Sequence, residues 1–135
     1  MRLALFASAV VIAASCGGSV PAMRITRFSA VPANHYPTFD RSVEDVAAAR
    51  RVSDAVKALP PAPTGRSCPV DLGLRYRLSF NEAARVVLSV VVVGGGCAEV
   101  IFTEADRRAT DDAFWDLLAS TLGVKKTEIS DLRPE

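Results

Sequence analysis

The chain has 135 residues, 16 Lys+Arg against 15 Asp+Glu, 50% hydrophobic and 23% charged residues, one histidine and three cysteines. That length holds one core and no more, and the composition is that of a folded chain, not a disordered tail. The near-zero net charge argues against a general nucleic-acid binder, and one histidine with three cysteines leaves little from which to build a metal cage or a catalytic triad.

Met1-Arg2 opens the chain, an apolar run of 12 residues follows from Leu3 to Ala14, and Ser15-Cys16-Gly17-Gly18 closes it. A positive start, a short apolar stretch and small residues are the grammar of a secretory signal. A bilayer-spanning helix needs about 20 apolar residues, so the run is short for an anchor. Ala13-Ala14-Ser15-Cys16 resembles a bacterial lipobox, although Ala13 stands where that pattern prefers Leu. It implies a signal peptide over 1–15, acylation of Cys16 and a tether over 16–22. A rival cut after Val20-Pro21-Ala22 would release a soluble chain and discard Cys16. Losing residues 1–15 removes Arg2 and no acid, which leaves 15 basic and 15 acidic side chains. A mature chain of zero net charge is not steered to phosphates or anionic headgroups.

Within a domain expected over 23–124, Met23 to Val31 reads as an edge strand carrying Ile25 and Phe28, ended by Pro32 and Pro37. Ser42 with Asp45 resembles a capping box. From Val43 to Leu59, the residues Val46, Ala49, Val52, Val56 and Leu59 recur at helical spacing. Pro60, Pro61 and Pro63 stop that helix.

Leu72 to Phe80 alternates strictly, with Leu72, Leu74, Tyr76, Leu78 and Phe80 on one face and Arg75, Arg77 and Ser79 on the other. After Asn81-Glu82, the β-branched run Arg85 to Val93 reads as the returning strand. A turn placing Phe80 opposite Arg85 gives cross-strand residue numbers that sum to 165. Cys68 and Cys97 share that sum, which predicts a disulfide just beyond the open end of the hairpin. An exported chain is where such a bridge persists.

Ala98 to Phe102 reads as a short strand, and Thr110 with Asp111 and Asp112 starts a second helix. Phe114, Leu117, Leu118 and Leu122 form its apolar stripe, Gly123 stops it, and 125–135 is expected to be a polar tail. The order β-α-β-β-β-α predicts an α+β fold: an antiparallel sheet of about four strands, with both helices on one face and one disulfide.

Chemistry finds little support in these residues. His35 sits in a proline-flanked loop, and no nucleophile motif such as G-x-S-x-G provides it a partner. Gly94-Gly95-Gly96 follows a strand but leads to Cys97 and another strand, with no helix N-terminus or Lys-Ser/Thr for phosphate. It reads as a flexible turn. Glu44/Asp45 and Asp111/Asp112 lie at helix starts, where capping accounts for them, and no cluster has metal-ligand spacing. No cofactor, metal or catalytic residue is expected. Arg75 and Arg77 share the face opposite Tyr76, with Val86, Leu88, Val90 and Val92 expected across from or diagonal to them. Either that face binds a partner protein or a carboxylate ligand, or it is a solvated surface whose arginine stems cover the valines.

Ser67-Cys68-Pro69-Val70-Asp71, the alternating strand ending at Phe80, Gly96-Cys97 and the helix with Phe114-Trp115 resemble small uncharacterised exported lipoproteins of high-GC Gram-positive bacteria. The resemblance covers roughly residues 58–122. It implies a disulfide-stapled domain held by lipid on the outer face of the cytoplasmic membrane, and it carries over no catalytic residues. The expected function is therefore non-catalytic binding of a protein or cell-envelope component. The alternatives are a secreted inhibitor of an extracellular hydrolase, presenting a loop such as Pro60 to Ser67 or Gly94 to Gly96, and an enzyme whose site is invisible in sequence.

Overall fold

The computed structural model describes residues 18–135, so the expected signal peptide and Cys16 lie outside the described residues. Six antiparallel strands form one sheet in the order β2-β1-β3-β4-β5-β6. They are β1 (Met23–Ser29), β2 (Asp40–Val43), β3 (Leu74–Glu82), β4 (Arg85–Val93), β5 (Glu99–Ile101) and β6 (Arg107–Ala109). Helices α1 (Val46–Ala58) and α2 (Asp112–Leu122) complete the α+β fold, with a single 3-10 turn at Lys126–Glu128. The sheet has six strands, not four, because β2 and β6 are short polar edges with no alternation to betray them. Backbone pairing and ion pairs hold them; Arg24 of β1 grips Asp40 of β2 through two hydrogen bonds of 3.0 and 2.6 Å. With β2 outside it, β1 is an interior strand, not the edge.

The core lies on one side of the sheet. Met23 and Ile25 from β1, Leu74, Tyr76, Leu78 and Phe80 from β3, Val90 and Val92 from β4, and Val100 from β5 meet Val52 and Val56 of α1 and Phe114, Trp115 and Leu118 of α2. Helix α1 starts later than its periodicity predicts, because Ser42 belongs to β2. Asp45 is its N-cap, and its carboxylate accepts from the amides of Ala47 and Ala48 at 2.9 and 3.0 Å. Helix α2 is capped by Asp111, which accepts from the Phe114 amide at 2.8 Å. It ends at Gly123, whose φ of 67° suits the left-handed stop.

The hairpin register differs from the sequence expectation. Arg75 pairs with Val93 and Phe80 with Leu88, so the numbers sum to 168; a bulge beyond Phe80 then leads to Asn81↔Val86 and Glu82↔Arg85. Asn81 and Glu82 continue the strand, and the turn is Ala83-Ala84, both at positive φ (47° and 62°). An odd shift in register moves side chains to opposite faces. Leu88, Val90 and Val92 therefore pair with Phe80, Leu78 and Tyr76 on the core face, while Val91 and Val93 stand opposite Arg77 and Arg75.

Both ends of the fold extend past the expected boundaries. Ala22 is buried, and its carbonyl and that of Pro21 accept from Asn81, each at 2.9 Å. At the other terminus the expected polar tail is packed down: Ile129 is fully buried, Leu132 lies against the core, and the Asp131 amide donates to the Gly94 carbonyl at 3.0 Å. Arg27 ties this terminus in. From the helix side of the sheet it donates to the Tyr76 hydroxyl at 3.2 Å and to the carbonyls of Pro37 and Glu128, with its guanidinium 4.8 Å from the Phe39 ring centroid.

Candidate binding surface

Pro60 to Gly73 crosses from the end of α1 to the start of β3, and the structure fixes it at successive points. The Ala62 amide donates to the Arg107 carbonyl at 2.8 Å, and the Ala109 amide to the Pro60 carbonyl at 2.9 Å. Arg66 donates to Glu99 at 3.1 Å, and the same carboxylate takes Arg107 at 2.6 Å. Cys68 is bonded to Cys97, with their Cα atoms 4.9 Å apart. Asp71 accepts from Arg75 at 3.0 and 2.6 Å and from the Gly73 amide at 2.9 Å. Arg75 holds the Asp71 carboxyl below the usual carboxylate range, the Gly73 amide adding to the effect and partial burial opposing it.

The large apolar side chain of this stretch faces water. Val70 lies between the disulfide and the Asp71 clamp and is 80% exposed, the most exposed large hydrophobic side chain among the described residues. No helix, strand or turn interrupts the chain between Arg66 and Gly73. Beside Val70 runs an open groove of about 630 Å³, bordered by Tyr36, Pro69, Leu72, Gly96 and Leu132. The hydroxyl of Tyr36 donates to the Leu72 carbonyl at 2.9 Å. Burial pushes that hydroxyl's pKa up, helped by the nearby charge of Asp71.

The two arginines singled out in the sequence have different situations. Arg75 is committed to Asp71 and the Leu74 carbonyl, and its side chain is 16% exposed. It holds the loop in place and is not free for a carboxylate ligand. Arg77 is exposed on the open face of the sheet, its guanidinium 5.5 Å from the Phe28 ring centroid. The valines opposite them are Val93 and Val91, not the even-numbered ones. Val93 is buried, and it borders a small cleft with Cys68, Asp71, Cys97 and Glu99.

The disulfide forms although the register that suggested it does not. Three glycines and a left-handed Ala98 (φ 26°) follow β4 and return Cys97 toward the loop. Within Gly94-Gly95-Gly96, expected to be a flexible turn, Gly94 is packed against Leu74 while Gly95 has open space where a side chain would stand. A Cβ on Gly94 would lie 2.6 Å from a Leu74 methyl carbon. His35 is exposed, and its backbone carbonyl accepts from Glu135 at 2.9 Å. Among the described residues no group of three or more His, Cys, Asp or Glu side chains is placed to hold a metal ion. The Arg66–Glu99–Arg107 cluster and the Asp71 clamp carry no sequence signal, since tertiary folding alone brings their members together.

No protein-family model, no curated protein and no solved structure matches this chain.

Proposed function

We propose that this chain is an exported, non-catalytic binding protein, held on the outer face of the cytoplasmic membrane by lipid on Cys16, and that its binding element is the restrained loop around Val70. The observation that carries the reading is Val70 itself, a solvated aliphatic side chain between two anchored neighbours. An exposed apolar side chain costs little to maintain singly. One supported by a covalent bridge and a clamped carboxylate is an anchor whose ordering cost is met before association, and preorganisation of that kind favours affinity. The groove beside it offers apolar walls for a partner segment, with Asp131 and Arg133 at its rim. The sequence supports the location through its short apolar start, the small residues around Cys16 and the resemblance to exported lipoproteins.

A photo-crosslinking residue at position 70 of the full chain tests the binding element on intact cells. The expected result is a discrete cross-linked product that weakens when Asp71→Ala releases the clamp. Cross-linking from position 77 alone would move the site to the open sheet face. Cys16→Ala tests the location: acyl mass and membrane retention should both be lost.

A second reading, an inhibitor of an extracellular hydrolase, is favoured by the same pinned loop, which presents an exposed aliphatic side chain outside any helix or strand. On this reading purified secreted proteases with aliphatic specificity are inhibited by the parent chain and not by Val70→Asp. The expected inhibitory element then centres on Val70 and not on Pro60 to Ser67.

A further inference from the structure

Four of the six large hydrophobic side chains exposed among the described residues gather at the end of the sheet opposite Val70. Val20, Val46, Val86 and Val87 are between 48% and 60% exposed. Val46 begins α1, Val86 and Val87 begin β4, and Val20 precedes β1. Val20 and Val46 border one shallow cleft with the Ala83-Ala84 turn, and Val46 and Val87 border the next. The charges here cancel: Glu82 pairs across the hairpin with Arg85, and Glu44 and Arg50 lie at the start of α1. The result is a neutral pole of small aliphatic groups.

The chain outside the described residues emerges at this pole. Three residues lie between Cys16 and Val20, four steps of chain with a reach of at most about 14 Å when extended. We propose that this pole is the face the domain seats on the bilayer surface, an inference that rests on the lipid anchor at Cys16. A tether this short turns docking into an intramolecular event at high effective concentration, so a patch too weak to bind membranes alone is sufficient. Apolar contact, not charge, does the work, because the pole has no excess of basic residues to attract anionic headgroups. Strand β3 runs nine residues from the loop to this pole. At about 3.3 Å per residue it holds Val70 roughly 30 Å away from the lipid, facing outward.

The test uses the mature protein purified from host membranes, its acyl mass checked first, in phosphatidylcholine nanodiscs with and without a gadolinium-chelate lipid. Amide signals of residues 46–50 and 83–87 should broaden at least tenfold more than those of 68–71, and the contrast should survive high salt. Val86→Asp with Val87→Asp should flatten it with the acyl mass unchanged. Uniform broadening on an acylated chain overturns this inference alone. An unacylated chain overturns the anchor as well. A concentration-dependent dimer whose 83–87 signals shift without lipid assigns the patch to a second copy and overturns bilayer seating.

Discussion

The Ala83-Ala84 turn carries a cost that two substitutions should remove. A two-residue hairpin loop with positive φ at both positions has the pattern of a type I′ turn, which favours Asn-Gly. Here both positions are alanine, at φ 47° and 62°, closed by the Glu82↔Arg85 pair. A left-handed backbone costs an L-residue with a Cβ roughly 1–2 kcal/mol. Glycine at position 84 recovers that cost but loses about 0.5–1 kcal/mol through the greater freedom of the unfolded chain. Asparagine at position 83 tolerates the conformation through local hydrogen bonding. The net expectation for Ala83→Asn with Ala84→Gly is a gain of about 1–2 kcal/mol, or roughly 4–8 °C in Tm for a domain near this size. Both side chains point into solvent, so no packing loss offsets the gain. Urea and thermal unfolding of the chain, with the disulfide intact, measure it. Ala84→Val should move the other way, because a β-branched residue resists positive φ. A double variant no more stable than the parent would show that the turn is not strained and the reasoning is wrong.

The remaining predictions concern the loop. Cys68 and Cys97 are 29 residues apart, and opening a loop of that length restores roughly 3.5 kcal/mol of unfolded-chain entropy on the loop-closure model. Cys68→Ser with Cys97→Ser should therefore lower Tm by roughly 15 °C, and an unchanged melt would mean that the bridge constrains nothing. The Asp71 clamp should fail in acid. Because Arg75 lowers the folded carboxyl below its unfolded value, the clamp contributes fully above about pH 4 and is lost as pH falls through the lower folded value. The Gly73 amide, which donates to Asp71, reports this as a chemical-shift titration with a midpoint below about 3.9. A midpoint at or above that value contradicts the clamp, and Asp71→Asn should abolish the transition.

Local pattern by itself determined the α+β class, the two helices on one face and both hairpin strands; the Cys68–Cys97 pair forms in a register other than the one that suggested it. Alternation, helical spacing and caps act over a few residues, where the chain's own periodicity decides which face is apolar. Tertiary structure alone decided the register, the edges and the candidate surface. Asn81-Glu82 resembles a break because both residues are polar. The pair stays in β3 because the Asn81 amide and side chain bond to Ala22 and Pro21, which are distant in sequence. The three-residue shift places Val91 and Val93, and not Val90 and Val92, on the face of Arg77 and Arg75. Strands β2 and β6 are too short and polar to show a pattern, and the last eleven residues look like tail because Ile129 and Leu132 stand alone among polar neighbours. Arg75 and Arg77 are equivalent in the alternation, yet one is locked to Asp71 and the other is solvated. Local pattern specifies which residues turn inward; which partners they meet depends on contacts between segments the sequence keeps far apart.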